Sequence, residues 1–408
     1  MKVYIVTKEP FPNGMAAVNR IKCYAKAITE QGVECEVLIF TRTEKYGKAP
    51  RNMSGKGVSD EGIPFCYIGG TPLRGENVFI RQINDRLDKW NTLRYLKRHL
   101  SEGDIVFMYY EDVCFSLKLI NVAHSRGAVV VRDLCELPYG TGAETRTAVL
   151  RRKKTLEKQF PLLDGIIPIS DALLHLAQKY ANKHCKFLKV PIMVDFEKYA
   201  LEERSSEADV PYIFHSGTLY EQKDGILGMI TAFGQAVART NTPVKFVSTG
   251  TIENSPHAEE IRRLIVSYHL EDKLVFTGYL SEEELKDYLS KASMVIINKY
   301  KTQQNRYCFS TKLGEYLAAE KPVIITNVGE AMNWLDNQTA YIVESHDVNG
   351  LADKIVYVLQ HTNESLERAK RGKELCKKNF DYRSWGKSMC AFLSDITENY
   401  NHYATEKS

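Results

Sequence analysis

The chain alternates short apolar segments with amphipathic segments of helical period, and this alternation constrains its fold more than any other feature. The early strand candidates are residues 2–7, 33–40, 104–109, 127–132 and 164–169. Between the first two, one face of a predicted helix over residues 16–31 carries Val18, Ile21, Tyr24, Ala25 and Ile28, and Gly32 ends it. Strands that alternate with helices predict a mainly parallel sheet with helices on both faces.

The pattern restarts in the second half. Its strand candidates are residues 211–216, 243–248, 273–277, 293–298, 321–326 and 339–343, and its helix candidates lie near 225–239, 257–269, 282–291, 311–319 and 348–361. The polar stretch 202–209 between the two series indicates a linker. We therefore predict an α/β protein of two Rossmann-like, doubly wound domains that face each other across a cleft.

The predicted domains cover residues 1–200 and 210–375. Residues 376–408 continue a helical stretch that begins near 364, and we expect this segment to cross back and pack on the first domain. Residues 42–62 are rich in Gly, Lys, Arg and Ser and predict a long loop, which in a compact domain is usually functional or mobile.

Cysteine usage and hydropathy suggest a compartment. The nine cysteines include no C-x-x-C pair, which favours reduced thiols in a cytoplasmic protein over a disulfide scaffold or a zinc site. No run of about 18 apolar residues occurs and no basic, apolar leader follows Met1, so we expect neither a membrane span nor a signal peptide.

Charge is unevenly distributed along the chain. Residues 1–200 contain 31 Lys and Arg against 22 Asp and Glu, whereas the rest of the chain is acidic. A basic first half suits an anionic acceptor or peripheral contact with the inner face of a membrane. A solvated surface with a chance asymmetry explains the same counts.

Several fingerprints of other enzyme classes are absent from the sequence. No G-x-G-x-x-G follows a strand, and there is no G-x-x-x-x-G-K-[ST], H-E-x-x-H or G-x-S-x-G. No D-x-D follows an apolar strand, so a metal-held diphosphate is not indicated. We expect no metal, no cofactor and no nucleic-acid partner.

Each half has a glycine-containing turn after its first strand, where open α/β sheets bind ligands. In Phe11–Ala17, Gly14 would let the backbone approach a ligand closely, although a plain strand-to-helix turn is an equal alternative. In the second half, Gly217 and Thr218 follow the strand and Lys223 begins a helix. A cation there opposes the helix dipole, which suits phosphate binding; the alternative is a solvated surface lysine.

A third segment, residues 307–318, precedes the strand candidate 321–326. Ser310 is a good N-cap residue, and the free backbone N–H groups of Thr311 and Lys312 would then form an anion site. Glu315 lies about one turn further on, where a carboxylate can accept both hydroxyls of a ribose. The alternative for Glu315 is a first-turn glutamate that the helix dipole favours.

A fourth segment follows the strand candidate 273–277. Backbone groups of Tyr279 and Leu280 stand where they can contact the edge of a base. Taken alone, this segment is a weak signal.

In this order and spacing, the segments resemble the GT-B retaining glycosyltransferases of the GT4-like family, the glycosyl transferases group 1. The resemblance spans nearly the whole chain and is densest in residues 217–223, 275–280, 310–318 and 322–325. In the first half, residues 11–17, 164–171 and 190–195 match the family pattern.

The resemblance implies a metal-independent hexosyltransferase with a nucleotide diphosphate sugar, UDP- or GDP-linked, as donor. The acceptor would be a polysaccharide, a glycolipid or a related carbohydrate or lipid-linked molecule. Lys223 and the helix start at Ser310, Thr311 and Lys312 would bind the diphosphate and stabilise the leaving group, at about 2.7–4 kcal/mol per key donor. Glu315 would hold the ribose.

The remaining roles are also implied by the resemblance. Tyr279 and Leu280 would contact the base, and Gly14 would lie against the diphosphate. Gly217, Thr218 and Tyr307 complete the implied substrate-binding set.

The sequence departs from the family pattern at three places. Thr218 stands where the family often has Arg, and Tyr307 stands where the first acidic residue of an E-x7-E motif is expected. Many relatives place a histidine near the reacting carbon after the strand at 127–132; here Glu136 is the nearest candidate. Asp133 and Glu136 can equally have helix-cap or loop roles.

Two other functions fit the same fold. A nucleotide-sugar epimerase would need carboxylates and histidines together, but the ten histidines do not cluster in these motifs. A catalytically weak nucleotide-sugar-binding relative would explain the changes at Thr218 and Tyr307.

Overall fold

A computed structural model describes residues 1–140, 144–199 and 209–406, with side chains up to residue 400. The chain forms two compact units. Unit 1 comprises residues 1–193 and 382–408, and unit 2 comprises residues 194–381.

Unit 1 contains eight strands in the described residues, and they form one sheet. The strands are β1 (Lys2–Thr7), β2 (Glu34–Ile39), β3 (Lys56–Val58), β4 (Pro64–Tyr67), β5 (Ile105–Tyr109), β6 (Val129–Leu134), β7 (Gly165–Pro168) and β8 (Lys186–Phe187). The helices of this unit are α1 (Ala16–Thr29), α2 (Val78–His99), α3 (Val113–His124), α4 (Arg146–Lys154), α5 (Asp171–Tyr180) and the final helix, Gly386–Glu406.

The sheet of unit 1 has the order β3-β4-β2-β1-β5-β6-β7-β8, and only the β3–β4 pair is antiparallel. Strand β5 is buried along its whole length, as expected for a strand covered by helices on both faces. The core of this unit also includes Tyr382, Met389, Leu393 and Ile396 from the end of the chain. The final helix therefore completes the core of unit 1.

Unit 2 contains six strands in the described residues. They are β9 (Tyr212–His215), β10 (Lys245–Ser248), β11 (Leu274–Phe276), β12 (Met294–Ile297), β13 (Val323–Thr326) and β14 (Tyr341–Val343). Its helices are α6 (Phe196–Tyr199), α7 (Glu221–Asp224), α8 (Ile226–Arg239), α9 (Ala258–Ser267), α10 (Glu282–Lys291), α11 (Gln303–Tyr307), α12 (Lys312–Ala318), α13 (Val348–Gln360) and α14 (Thr362–Asn379), so the last helix of unit 1 is α15.

The sheet of unit 2 is parallel throughout, with the order β11-β10-β9-β12-β13-β14. Numbered within the unit, this is the 3-2-1-4-5-6 order of a doubly wound sheet. The direction of winding reverses between β9 and β12. Ligands of such sheets bind outside the carboxyl ends of the strands at this switch point.

The prediction of two doubly wound sheets is confirmed, and the differences are local. The predicted loop at 42–62 contains β3, which pairs with β4 at the sheet edge. In this pair Lys56 lies opposite Cys66 and Val58 opposite Pro64. An edge strand of three exposed residues has no apolar alternation, so the sequence pattern did not indicate it.

The observed unit boundaries also differ from the predicted ones at 200, 210 and 376. The chain enters unit 2 at Val194, whose N–H donates to Phe380 O at 2.8 Å, and leaves it after Asp381. This short pairing of the two ends holds residues 194–199 and 376–381 in unit 2. The predicted linker at 202–209 falls almost wholly outside the described residues.

Candidate functional site

The loops after β9 and β12 meet at the switch point of unit 2. Strand β9 ends at His215, and the chain continues as a loop through Ser216, Gly217 and Thr218. Strand β12 ends at Ile297, and the chain continues through Asn298 and Lys299. The side chains that follow these two strands build the candidate site.

A buried carboxylate, Asp224, lies at the centre of the site. Its Oδ2 accepts hydrogen bonds from the Thr218 N–H at 3.0 Å and from the Thr218 hydroxyl at 2.8 Å. Its Oδ1 accepts from the Lys312 ammonium at 2.7 Å. Burial disfavours the charged carboxylate, but Lys312, His215 and Lys299 together hold the pKa of Asp224 well below its ordinary value.

Lys312 pairs with this carboxylate, and the charges of two further lysines act on the pair. Burial lowers the pKa of Lys312; the Asp224 carboxylate opposes that change, and the charges of Lys299 and Lys223 add to it. The Lys299 ammonium donates to Lys223 O at 3.0 Å, which brings the two residues together. An excess of ammonium groups over carboxylates favours an anionic ligand, and a diphosphate is an anion of the right charge.

His215 lies beneath the lysine cluster. Its Nδ1 is 3.2 Å from Ile296 O, and in the described part of the chain its buried Nε2 has no hydrogen-bond partner. Burial and the charge of Lys312 lower the pKa of His215 to about 4. The imidazole is therefore neutral near pH 7 and cannot serve as a cationic acid there.

Gly217 is required by the crowding around it. A Cβ atom at this position would overlap the Lys312 ammonium, and would lie 2.5 Å from His215 Nε2 and 3.0 Å from Asp224 Oδ2. The glycine thus allows the histidine, the lysine and the aspartate to converge on one point of the backbone.

Lys223 is exposed at the end of the single-turn helix α7, and its neighbours fix that helix. Glu221 accepts a hydrogen bond from the Tyr300 hydroxyl at 2.6 Å and from the Leu227 N–H at 2.6 Å. The Asn298 amide donates to Gly225 O at 2.8 Å, where Gly225 has a φ of +62°. The loop after β12 therefore positions the lysine that the sequence singled out.

The predicted helix cap at Ser310 is wrong. Helix α12 begins at Lys312, the cap position is Thr311, and no side chain caps it. Ser310 instead contributes its carbonyl, which accepts from the Leu313 N–H at 3.1 Å in the first turn. Lys312 was predicted to act through its backbone, but the ion pair of its side chain with Asp224 is what places it in the site.

Glu315 lies one turn into α12 and is partly exposed. Burial of the carboxyl raises its pKa to about 7, against a hydrogen bond from the Tyr199 hydroxyl and the charges of Lys312 and Lys198. The charge of Glu282, at the start of α10, contributes to the same rise. Glu315 therefore faces the start of α10 as well as α6.

The loops after β9, β10 and β11 are tied together by hydrogen bonds. Gly217 N–H donates to Thr249 Oγ1 at 2.8 Å, and Gly250 and Gly278 exchange two hydrogen bonds of 2.9 and 3.1 Å. Tyr279 follows directly and is 65% exposed. Leu280, one residue further, is partly exposed.

The structure thus brings Gly217, Thr218, Lys223 and Lys312 into one cluster around Asp224. Tyr307 is the last residue of the short helix α11 and is partly exposed, and helix α12 begins at Lys312. Thr218 lacks the cationic side chain that the family pattern places there, and its two hydrogen bonds to Asp224 give it a local structural role.

Two predicted residues lie in unit 1. Gly14 is packed rather than open: a Cβ there would overlap the Val18 side chain and lie 2.9 Å from Pro10 O. Glu136 is partly exposed, two residues after β6. The role of Gly14 in substrate binding and that of Glu136 at the reacting carbon stay predictions.

Asp133 has neither of the roles suggested for it. It is a buried residue of β6, and its Oδ1 accepts from Arg20 Nη2 at 3.1 Å and from the Tyr24 hydroxyl at 2.5 Å. Arg20 also donates to Pro191 O at 2.7 Å. This buried ion pair ties α1 to β6 and to the segment that leads out of unit 1.

Sequence reasoning missed Asp224, Lys299 and His215. Lys299 had a usable signal, since a lysine two residues after a buried parallel strand lies at the ligand-binding edge. Asp224 and His215 had none, because a carboxylate in a turn and a histidine at a strand end are common without function. Only the fold brings them together.

Within the described residues, no group of three or more His, Cys, Asp or Glu side chains is arranged to hold a metal ion. No helix among them is long and apolar enough to cross a bilayer.

The fold defines a class of protein. Solved structures that match nearly the whole chain are glycosyltransferases of the GT-B fold, so the predicted fold class is confirmed. Residues 210–361, which hold the lysine cluster, match the family model for glycosyl transferases group 1. No curated protein sequence matches the chain significantly.

Three of the similar structures illustrate the match. A sucrose-phosphate synthase from Thermosynechococcus elongatus has a TM-score of 0.73 and 15% identity, covering 97% of this chain and 98% of its own. HepE from Anabaena in complex with UDP-glucose has a TM-score of 0.69 and 13% identity, covering 97% and 100%. An α,α-trehalose-phosphate synthase (UDP-forming) from Burkholderia xenovorans, in complex with glucose-6-phosphate, has a TM-score of 0.70 and 14% identity, covering 96% and 100%.

Proposed function

We propose that the protein is a metal-independent, retaining glycosyltransferase that transfers a hexose-type sugar from a UDP- or GDP-linked donor. The acceptor is a polysaccharide, a glycolipid or a related molecule, and the enzyme acts in the cytoplasm or at the inner face of a membrane. The observation that carries the proposal is the cluster of Lys223, Lys299 and Lys312 around Asp224 at the switch point of unit 2.

The cluster suits the chemistry of the leaving group. When the bond from the anomeric carbon to the diphosphate breaks, negative charge grows on the phosphate oxygens. Ammonium groups already fixed by Asp224 and by Lys223 O stabilise that charge without rearrangement. A site built in this way does not need a divalent cation to hold the diphosphate.

The neighbouring loops suit the nucleoside. Glu315 accepts the ribose hydroxyls once it is ionised, and Tyr279 and Leu280 stand at the end of β11 where they can contact the base. HepE binds UDP-glucose and the trehalose-phosphate synthase forms UDP, which supports uridine as the first donor base to test. Gly14, against the diphosphate, and Tyr307 are further proposed substrate contacts, and we propose that Glu136 assists at the reacting carbon.

Binding of the diphosphate is tested by calorimetric titration of UDP and GDP into the wild type and three lysine variants. Lys223→Ala and Lys299→Ala each remove one charged donor, so we expect affinity to fall about ten- to a hundredfold. Lys301→Ala is the matched control: this lysine is two residues from Lys299, is 58% exposed and pairs with Glu344. Equal affinities for all four proteins would refute the site.

Turnover is tested by nucleotide release from UDP- and GDP-sugars with a panel of carbohydrate and lipid-linked acceptors. We expect acceptor-dependent release that EDTA does not reduce, and a product whose anomeric configuration, read by NMR, equals that of the donor. Isomerised sugar without acceptor would indicate an epimerase. Tight donor binding with no turnover over the panel would indicate a binding protein.

A further inference from the structure

Helix α2 of unit 1 exposes large apolar side chains in its first four turns. Phe79 is 75% exposed, Ile83 57% and Trp90 52%, and Ile80 and Leu87 are about half exposed. Their spacing of three to four residues places them on one face of the helix. A contiguous apolar face of this kind on a protein surface marks an interaction site.

The same face of α2 becomes basic toward its end. Arg94 follows Trp90 by four residues, and its guanidinium lies 4.5 Å from the centre of the Trp90 ring. Lys97 and Arg98 follow in the last turn. The helix contains six Lys and Arg against two Asp, and one of these, Asp88, is buried against Arg42.

Helix α4 repeats the combination. It has no buried residue, and Val149 and Leu150 are 44% and 58% exposed. Its sequence carries five basic residues and no acidic one, four of them in the last turn. A helix with no residue packed in the core gains little from the rest of the unit, and its composition is that of a helix that lies on a charged surface.

The two helices flank the same end of α3. The Lys89 ammonium of α2 pairs with the Asp112 carboxylate before α3 at 2.7 Å. The Lys154 ammonium of α4 lies 3.3 Å from Cys114 Sγ in the first turn of α3. We call the exposed face of α2 together with α4 the basic–apolar surface of unit 1.

We propose that the basic–apolar surface docks unit 1 on an anionic phospholipid bilayer. Apolar side chains of this size enter the boundary between headgroups and acyl chains, while Lys and Arg remain among the phosphates. A second copy of the chain is a poor occupant, because it would place the basic residues of α2 and α4 against the same residues of its partner. The inference rests on unit 1 alone and stands whether or not the proposed transferase activity is correct.

The test is co-sedimentation of the full-length protein with vesicles of phosphatidylcholine alone or with about 30% phosphatidylglycerol, a composition that gives the anionic surface potential the proposal needs. We expect strong partition to the anionic vesicles, at least about tenfold weaker partition to neutral ones, and loss of binding as salt rises. Trp90 fluorescence should shift to shorter wavelength on binding, because its ring leaves water.

Two variants test the two components of the surface. Ile83→Glu removes apolar contact and adds a negative charge, and Arg151→Glu/Lys153→Glu reverses two charges of α4. We expect each to reduce partition at least about tenfold, since each basic residue near an anionic surface contributes about a fivefold change. All three positions are exposed, so the variants should retain the melting temperature of the wild type.

Val266→Glu is the matched control, because Val266 is 63% exposed on α9 of unit 2. Unchanged partition for this variant supports the assignment. Absence of vesicle binding, equal binding to neutral vesicles, or equal losses for Ile83→Glu and Val266→Glu would overturn it. A wild-type dimer that Ile83→Glu dissociates, without vesicle binding, would assign the surface to self-association instead.

Discussion

Asp224→Asn removes one charge from the centre of the lysine cluster, and its effects can be worked out from the contacts of the carboxylate. The Asp224 side chain is 4% exposed and accepts three hydrogen bonds, one of them from Lys312, which is 21% exposed. An asparagine must direct its NH2 group at either Lys312 or Thr218, and both are donors. At least one hydrogen bond is therefore lost whichever way the amide turns.

Removing one partner of a fully buried ion pair costs about 3–5 kcal/mol. Since water reaches part of Lys312, we expect Asp224→Asn to lower the free energy of unfolding of unit 2 by about 2–4 kcal/mol. For a unit of this size the melting temperature should fall by about 5–12 °C. Differential scanning calorimetry measures this change.

The same variant should bind diphosphates more tightly. The lysines lose the carboxylate that partly neutralises them, and a bound diphosphate no longer meets its repulsion. One unit charge at about 6–8 Å and an effective dielectric constant of about 20 is worth about 2 kcal/mol, or about thirtyfold in affinity at low salt. Calorimetric titration of UDP at low and high salt measures this gain, which should shrink as salt rises.

The stability effect also depends on pH with a defined sign. The folded pKa of Asp224 is depressed, so its stabilising effect is fully present above the unfolded value of about 3.8 and is lost as pH falls toward the folded pKa. The variant has no such loss. Asp353→Asn is the control, because Asp353 is 58% exposed and pairs with Arg239 at the surface. Equal melting temperatures for the two variants, or weaker UDP binding by Asp224→Asn, would refute the reasoning.

Three further changes have expected outcomes. Gly217→Ala forces a methyl group onto His215 and its neighbours, so it should cost about 1–3 kcal/mol of stability and weaken UDP binding, both read by thermal unfolding with and without UDP; unchanged binding would contradict the crowding argument. Glu315 has a folded pKa of about 7 against 4.5 unfolded, so the stability it contributes is present below pH 4.5 and falls by about 3 kcal/mol as pH rises to 7. Glu315→Gln should lack this part of the pH dependence in denaturation experiments, and equal pH profiles for the variant and the wild type would contradict the assignment. Arg20→Met leaves Asp133 buried without its cation and should lower the free energy of unfolding by about 3–5 kcal/mol. In a double-mutant cycle, Arg20→Met/Asp133→Leu should recover most of this loss, and purely additive effects would exclude the pairing.

The fold could be predicted from sequence because its information is local and repeated. Each parallel strand of unit 2 is a short apolar run, and the predicted runs at 211–216 and 293–298 correspond to β9 and β12. Their pairing side by side does not follow from either run alone. It follows from the right-handed, doubly wound connections that alternating strands and helices require.

The site could be predicted only in part. Lys223 and Lys312 were found because they flank helix starts, but Lys312 acts through a side chain that reaches Asp224, 88 residues away in sequence. No local pattern records such a contact. The prediction of a helix cap at Ser310 was wrong for a related reason. The residues before α12 form a turn, so the helix begins at Lys312, later than the composition suggested.

The bridge between Val194 and Asp381 makes unit 2 a single uninterrupted segment whose two ends meet. Unit 1, by contrast, is discontinuous, because its core takes Tyr382 and Met389 from the far end of the chain. A protein made of residues 194–381 alone would therefore have its two ends side by side. In the full chain, a short linker could replace this segment and join the two parts of unit 1. Deletion of α15, however, would expose the core of unit 1 and leave unit 2 intact.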